Sequence, residues 1–581
     1  MYLLGISCYY HDAAACLIKD GKIIAAAEEE RFTRKKHDPS FPINAINFCL
    51  DFAKIDIKDL DAVCFYEKPI LKFQRILNQH LQTAPFSFET FSKFFPQWTK
   101  NKLLIKKSIR KIGYEKEIYF TEHHEAHAAS CFLPSPFKEA AFLTIDGVGE
   151  WATTTIGIGK ENKVQILKEI KFPHSLGLLY STLTAYLGFS VNNSEYKVMG
   201  LSAYGNPEPY YAKLRKTIDL KEDGSFRLKM KYFDFHYKPW MPSKELYKLL
   251  GGPIKTKDAP LTQRHKDIAA ALQKVTEEVV FKILNNLHKE TKLDNLCIAV
   301  GVALNSVANG KILKNIPFKK IWIQPAAGDS GCSIGAALSC YHQILNYKKR
   351  FEQKDCYLGP SYDNKYIQNF LDSHFVRYIE FESQKELIKR TAKLINDSNI
   401  IGWFQGRMEW GPRALGARSI LSNPSNPDMQ AILNEKVKHR EKFRPFAPVV
   451  CEDDALTYFD CDIPIPEPTD FMLMVYPVKE KWHKKIPAVT HVDGSGRLQT
   501  VRRFQNPLYY DLIKEFGKLS GIPILINTSF NIRGEPIVCN PKDAYLCMMG
   551  TGIDYVVMGN FLIKRADNPR DIWDSEKYAT D

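Results

Sequence analysis

Short apolar runs separated by polar turns open the chain: YLLGIS, then CYYHDAA, ACLI, the tight turn KDGK, and IIAAAEE. The pattern predicts strand, polar turn, strand, turn, strand over residues 2–28. Residues 141–169 repeat it with AFLTID, GVGEWA, TTTIGI, GKENK and VQILKEI. Two copies of one hairpin-led unit predict a duplicated α/β fold. In each copy the first strand runs into a loop that holds small residues and an acid. Such a loop presents backbone N–H groups and a carboxylate to a phosphate or a metal.

Between and after the copies the period lengthens. FPINAINFCLDFAKI reads as an amphipathic helix, and residues 262–290 read as a long one. NLCIAVGVALNSVANGKIL reads as strand, glycine turn and helix, which lets a nucleotide or phosphate approach Gly301 and a helix N-terminus. KIWIQPAAGDSGCSIGAALSC follows the same logic: its small-residue helix starts near Ser330, and Asp329 falls where strand end meets helix start. This grammar is similar to that of the actin, hexokinase and sugar-kinase superfamily (ASKHA), in which two related α/β domains clamp a nucleotide. The lysine-rich stretch YHQILNYKKRFEQKDCYLGPSYDNKY then breaks the periodicity and predicts a boundary within residues 350–365. The division adopted is a first domain over 1–352 and a second over 353–581.

The second part differs in character. Arg407, Arg413 and Arg418 surround two glycine turns, Lys438, Arg440 and Arg444 precede a proline-bounded apolar strand, Arg497 follows, and another strand ends in Asn527, Ser529 and Asn531. Arginines in apolar, Gly/Pro-rich surroundings are costly to bury unless each meets an anion. Glu409 and Glu441 can supply that anion internally. The other reading is a pocket for a triphosphate and a second anion, gripped by guanidinium forks.

Composition narrows the class. The 581 residues exceed what one core holds, and 45% apolar with 25% charged residues is the make-up of a soluble globular protein. The net charge of +14 is spread over scattered lysines with short runs such as RKK and YKKR, so it reads as a solvated surface more than a nucleic-acid face. The thirteen cysteines form no CxxC pair, and Cys64 and Cys297 sit inside apolar runs. A reducing cytoplasm and no zinc ribbon are expected. The opening residues, without a basic leader and broken by His11 and Asp12, read as mature structure, and no apolar stretch is long enough to span a bilayer.

The segment TEHHEAHAAS places His123 and His127 four residues apart, on one side of a helix, with His124 pointing elsewhere. Such a pair also occurs on solvated helix faces. A metal site needs further oxygen or nitrogen ligands.

Over nearly its whole length the chain resembles the NodU/TobZ-type O-carbamoyltransferases. The resemblance rests on HDAAACL, EEERFTRKKHD, HHEAHAASCFLPSPF, DGVGEWATT, PHSLGLLYS, EYKVMGLSAYG, GVALNSVANGKI, QPAAGDSGCSIGAAL, GRMEWGPRALGARSIL, VKHREKFRPFAP and LINTSFNIRGEPIV. It implies a duplicated ASKHA-fold domain followed by a YrdC-like α/β domain. The C-terminal domain would convert carbamoyl phosphate and ATP into carbamoyl-adenylate, releasing phosphate and pyrophosphate. The N-terminal domain would then pass the carbamoyl group to a hydroxyl of a small acceptor, a sugar or a natural product.

By motif match, the resemblance makes His123, His127, Asp146 and Asp329 ligands of a transition metal, with iron favoured. It makes His11 the base or polarising group, and puts Gly301 and Asn305 beside the adenylate. Arg413, Lys438, Arg444, Arg497, Asn527 and Ser529 would surround carbamoyl phosphate and the ATP phosphates, with Mg²⁺ accompanying ATP. Arg407, Arg418 and Arg440 are expected to be structural. Where relatives often show two glycines before VALN, this chain has Val300 and Gly301. A homodimer is compatible with this reading. Rivals are a tRNA threonylcarbamoyladenosine-type enzyme, which would use the positive charge, a hydrogenase-maturation carbamoyltransferase, whose CxxC fingers are missing here, and a non-catalytic nucleotide- and metal-binding module.

Overall fold

Strands β1 (Tyr2–Ser7), β2 (Ala14–Lys19) and β3 (Lys22–Glu28) are apolar and largely buried. Asp20 and Gly21, with φ of 49° and 83°, close the two-residue hairpin between β2 and β3. The computed structural model describes residues 1–256, 259–441 and 443–568. With β4 (Ala62–Phe65) and β5 (Ile118–Phe120) these strands form a sheet of order β3-β2-β1-β4-β5. In it β1 runs antiparallel to β2 and parallel to β4, and β4 is parallel to β5.

The second copy uses β6 (Glu139–Ile145), β7 (Ala152–Lys160) and β8 (Lys163–Lys171). A small ribbon of β9 (Ile218–Leu220) and β10 (Phe226–Leu228) intervenes before β11 (Asn295–Ala299) and β12 (Lys320–Ile323). The order β12-β11-β6-β7-β8, with β6 antiparallel to β7 and parallel to β11, repeats the first sheet strand for strand. This is the duplicated α/β arrangement that the sequence predicts.

Helices His123–Phe132 and Cys332–Ser339 pack in direct backbone contact. A Cβ on Gly335 would lie 1.7 Å from the carbonyl oxygen of Ala126, and one on Gly5 of β1 would lie 1.8 Å from that of Ser333. Only glycines allow this approach, which brings the start of each helix toward the ends of the central strands.

The chain divides into two compact units: Met1–Ala26 with Pro39–Gln353, and Ala27–Asp38 with the chain from Lys354 onward. The second unit holds a nine-stranded mixed sheet. Its strands are β13 (Ile379–Glu380), β14 (Ile401–Phe404), β15 (Arg418–Ser422), β16 (Ala447–Cys451), β17 (Met474–Pro477), β18 (Ser495–Val501), β19 (Ile524–Ser529), β20 (Tyr555–Met558) and β21 (Phe561–Lys564). Helices Gln384–Asn396 and Pro507–Ser520 bury Leu387, Ile395, Leu512 and Phe516 in one core with Trp403, Leu421, Val449 and Leu525 of the sheet.

Residues 27–38, continuous in sequence with the first copy, belong to the second unit. Phe32 packs beside Met408, Ala414 and Ile537, Arg31 donates to the carbonyl of Gly411 at 3.0 Å, and Arg34 donates to those of Ile537 and Pro536 at 2.7 and 2.8 Å. Among the described residues no helix is long and apolar enough to cross a membrane. All thirteen cysteines are free thiols, and twelve are buried.

Candidate metal centre and anion site

Helix His123–Phe132 follows β5 directly and has no side-chain cap of its own. The carboxylate of Glu150 supplies one, accepting from the backbone N–H of His123 at 3.0 and 3.2 Å. This start fixes His123 and His127 on one face. Asp146 leaves the end of β6, its N–H donating to Thr153 and its carbonyl accepting from Ser175. Asp329 leaves the loop after β12, which is tied to the end of β11 by the N–H of Val300 donating to Ala327 at 2.7 Å.

These loops bring four residues together. Nε2 of His123 lies 2.9 Å from Oδ2 of Asp146 and 3.2 Å from Nε2 of His127, and Oδ1 of Asp329 lies 3.8 and 3.7 Å from the two imidazoles. One donor atom from each falls within 4.8 Å of all the others. His123, His127 and Asp329 are almost fully buried, and Oδ2 of Asp329 has no hydrogen-bond partner.

The group suits a metal ion. Two imidazole nitrogens facing each other at 3.2 Å need a proton or a cation between them. Nitrogens each about 2.1 Å from one ion stand roughly 3 to 3.5 Å apart. Two nitrogen and two carboxylate donors match iron, manganese or zinc in ligand type. Nδ1 of each imidazole lacks a protein partner, so no second shell of protein groups sets either tautomer. Cys332 also lies near both imidazoles, but burial, then Asp329 and Asp146, push its thiol well up, so the carboxylates are the better donors.

Electrostatics tie these groups together. Burial opposes charge on Asp146, yet its bond to His123 holds it down at about 2. Burial likewise opposes Asp329, whose acidity is strengthened far more by His11, His123 and His127. His123 is raised because Asp329 and Asp146 overcome its burial, whereas burial keeps His127 low. Burial and the neighbouring His123 push His124 to about 3, and its Nδ1 instead meets the Thr144 hydroxyl at 2.7 Å. His11, in the loop after β1, has Nδ1 at 3.0 Å from Asp12, and the charges of Asp329 and Asp12 outweigh burial and lift it to about 9.

The turn after β11 is strained. Val300 holds φ 89°, which a β-branched residue rarely adopts, whereas Gly301 has open space where a Cβ would sit. The strain explains why glycine suits this position. Asn305 caps the next helix through Ala308 N–H and exchanges hydrogen bonds with Gln273 at 2.9 and 3.1 Å.

In the second unit Lys438 is 4% exposed. Its ammonium meets the Ser529 carbonyl and, at 2.9 Å, the carbonyl and Oδ1 of Asn531. No carboxylate is among these partners, and burial, with Arg440 and Arg444 nearby, pushes the amine well below its ordinary value. Asn527 donates to the Ala414 carbonyl at 3.1 Å and to Oε1 of Gln499 at 2.6 Å. Gln499, not singled out from sequence, thus links Asn527 to β18, two residues beyond Arg497. Its alternation with Arg497 along the strand was the available signal.

Arg413 is half-buried in the glycine turn before β15, and Arg444 lies 3.7 Å from Glu441. Glu409 accepts from the N–H groups of Leu415, Ala417 and Arg418, so it organises that turn instead of pairing with an arginine fork. Arg418 donates to the carbonyls of Gln405, Gly406, Ala417 and Pro360 and stacks on Phe404. Arg407 donates to Gly359 and Leu358, and Arg440 to Asn434 and Pro445.

Residues 2–338 match the family described as carbamoyltransferase N-terminus, and residues 392–565 match carbamoyltransferase C-terminus. An uncharacterised protein of Synechocystis is 47% identical, covering 98% of this chain and 97% of its own. The nodulation protein NolNO of Sinorhizobium fredii is 37% identical over 97% of this chain and 80% of its own. Nodulation protein U of Rhizobium tropici is 37% identical over 45% of this chain and 42% of its own. With family models matching both halves, the chain belongs to the carbamoyltransferase family and is an enzyme that transfers carbamoyl groups.

Proposed function

We propose that this enzyme is an ATP-dependent O-carbamoyltransferase that works in two steps and delivers the carbamoyl group to a hydroxyl of a small acceptor. The observation that carries this reading is the pairing of two chemically different sites in one chain. The first unit has a His₂Asp₂ group, and the second has a buried lysine flanked by arginines with no carboxylate on its amine.

In the second unit Lys438, Arg413, Arg444 and Arg497 hold carbamoyl phosphate and the ATP phosphates, while Asn527 and Ser529 orient them. Water cleaves carbamoyl phosphate to carbamate and phosphate. A carbamate oxygen then displaces pyrophosphate at the α-phosphorus of ATP, giving carbamoyl-adenylate. The basic side chains neutralise charge that accumulates on the departing pyrophosphate, which is where fixed cations contribute most. Mg²⁺ travels with ATP.

In the first unit the acceptor oxygen attacks the carbamoyl carbon, AMP leaves, and the hydroxyl proton is lost. His123, His127, Asp146 and Asp329 would hold a transition metal, iron by resemblance, which when bound supplies Lewis acidity to a carbonyl or phosphate oxygen. Asp12 orients His11 through Nδ1 and helps keep the ring protonated, leaving Nε2–H to donate toward the carbamoyl oxygen. Gly301 gives the adenylate a close approach to backbone.

Pyrophosphate release from ATP and carbamoyl phosphate without acceptor, together with mass-spectrometric detection of carbamoyl-adenylate, tests the first step. Failure to form adenylate while ATP binds would overturn the reading.

A further inference from the structure

Beside the His₂Asp₂ group the first unit buries three basic side chains, with the carboxylates of Glu67 and Glu150 among them. Lys72, Arg75 and Lys102 are 4%, 5% and 3% exposed, and Glu67 between them is fully buried. Glu67 ion-pairs Lys72 through one oxygen and Lys102 through the other, both at 2.7 Å. Glu150 is engaged by the N–H groups of Lys68 and His123.

Arg75 is left over. One of its amino groups donates to Gln79, the guanidinium lies 4.9 Å from the Phe172 ring centroid, and Nε has no partner. Among the described residues no carboxylate is within ion-pairing range of it. A buried guanidinium with no direct ion pair is expensive even with the charges of Glu150 and Glu67 nearby, and its flat fork fits the two oxygens of a carboxylate, sulfate or phosphate. Burial depresses Arg75 to about 10 against the opposing pull of Tyr10, Glu150 and Glu67, and burial together with the charge of Lys72 takes Lys102 to about 8 despite Glu67.

The cluster adjoins the chemistry. The Lys72 and Lys102 ammoniums flank the ring of exposed Tyr10 at 5.3 and 5.6 Å, and that ring lies with its centroid 4.4 Å from that of His11, tilted by 41°. Lys72 and Arg75 lie on helix Pro69–Gln82 and Lys102 on the short helix Lys102–Leu104, all in the first copy, whereas the open glycine turn at Gly301 belongs to the second copy.

We propose that Lys72, Arg75 and Lys102 form a subsite for an oxyanion carried by the hydroxylated acceptor. The substrate class is then an acidic alcohol bearing a carboxylate, sulfate or phosphate group. This rests on the transfer reading above, with the adenylate held at the second copy.

Sulfate is the probe, against chloride at matched ionic strength, in full-length protein carrying Arg444→Gln to silence the second unit. Sulfate is expected to raise the unfolding midpoint by about 2 °C in that parent. Adding Arg75→Gln should abolish the shift, and Arg75→Lys should keep part of it. Lys102→Met gives a second route to the same loss should Arg75→Gln fail to fold. An equal shift with and without Arg75, or no shift in the parent, overturns the subsite.

AMP titration separates the sources: weaker AMP binding by Arg75→Gln would assign the cluster to the adenylate's phosphate and overturn the acceptor assignment. Acceptor-independent pyrophosphate release by wild type tests the transfer reading separately, so its failure beside intact sulfate binding leaves the subsite standing.

Discussion

Nε2 of His123 stands 3.2 Å from Nε2 of His127, one helical turn along, with Asp146 and Asp329 closing around the pair. That contact makes sense with a shared cation. Purified protein should therefore carry about one transition-metal ion per chain by elemental analysis, and His127→Ala or Asp329→Asn should lower its affinity at least about tenfold. Full metal retention in both variants would show that these residues are not its ligands.

Lys438 is buried among neutral oxygens, so it awaits an anion. Lys438→Met should slow pyrophosphate release about 100-fold or more, the effect of removing a fixed group that stabilises developing charge. Wild type should also take up protons when carbamoyl phosphate binds, read as a buffer-dependent heat in calorimetry. The amine sits well below its ordinary value before the anion arrives and returns toward it afterward. Unchanged turnover in Lys438→Met would remove this residue from the mechanism.

Gly335 sets the spacing of the two helices that carry His127 and follow Asp329. Because an added Cβ would fall 1.7 Å from the Ala126 carbonyl, Gly335→Ala must push the backbones apart. Overpacking of this kind costs about 1–3 kcal/mol or more. Both the unfolding midpoint and the bound metal should fall together, and loss of neither would contradict the packing described.

Glu67 predicts a pH effect. Burial opposes its charge, but Lys102 and Lys72 hold it at about 2 in the fold, below its ordinary 4.5. A depressed acid stabilises fully above pH 4.5 and loses that contribution as pH falls toward 2. Glu67→Gln, which leaves two buried ammoniums uncompensated, should destabilise by about 3–5 kcal/mol at pH 7. Urea midpoints at pH 7, 5 and 4 should show the deficit shrinking as pH falls. A deficit that grows would refute the ion-pair account.

Much of the first unit was legible because strand periodicity repeats: AFLTID and QPAAGDSG each put an acid at a strand end, and the i,i+4 histidines share a face. The helix-to-helix glycine contact that brings those ends together was not, since nothing local in GCSIGAAL names its partner. Residues 27–38 run on from β3 without a glycine or proline before Pro39, so their place in the second unit leaves no mark in the pattern. Lys72 and Arg75 carry no sequence mark that sets them apart from the scattered surface cations; only tertiary packing reveals that they are buried. In the second unit the arginine cluster was legible by composition. Which members are engaged by carbonyls, as Arg418 is, depends on the turn that Glu409 organises.

The most direct test incubates wild type, His127→Ala and Arg444→Ala with ATP, Mg²⁺ and carbamoyl phosphate, without acceptor, and measures pyrophosphate and carbamoyl-adenylate. Two separate half-sites predict adenylate from wild type and His127→Ala but not from Arg444→Ala. No adenylate from wild type, with ATP still bound, would contradict the account.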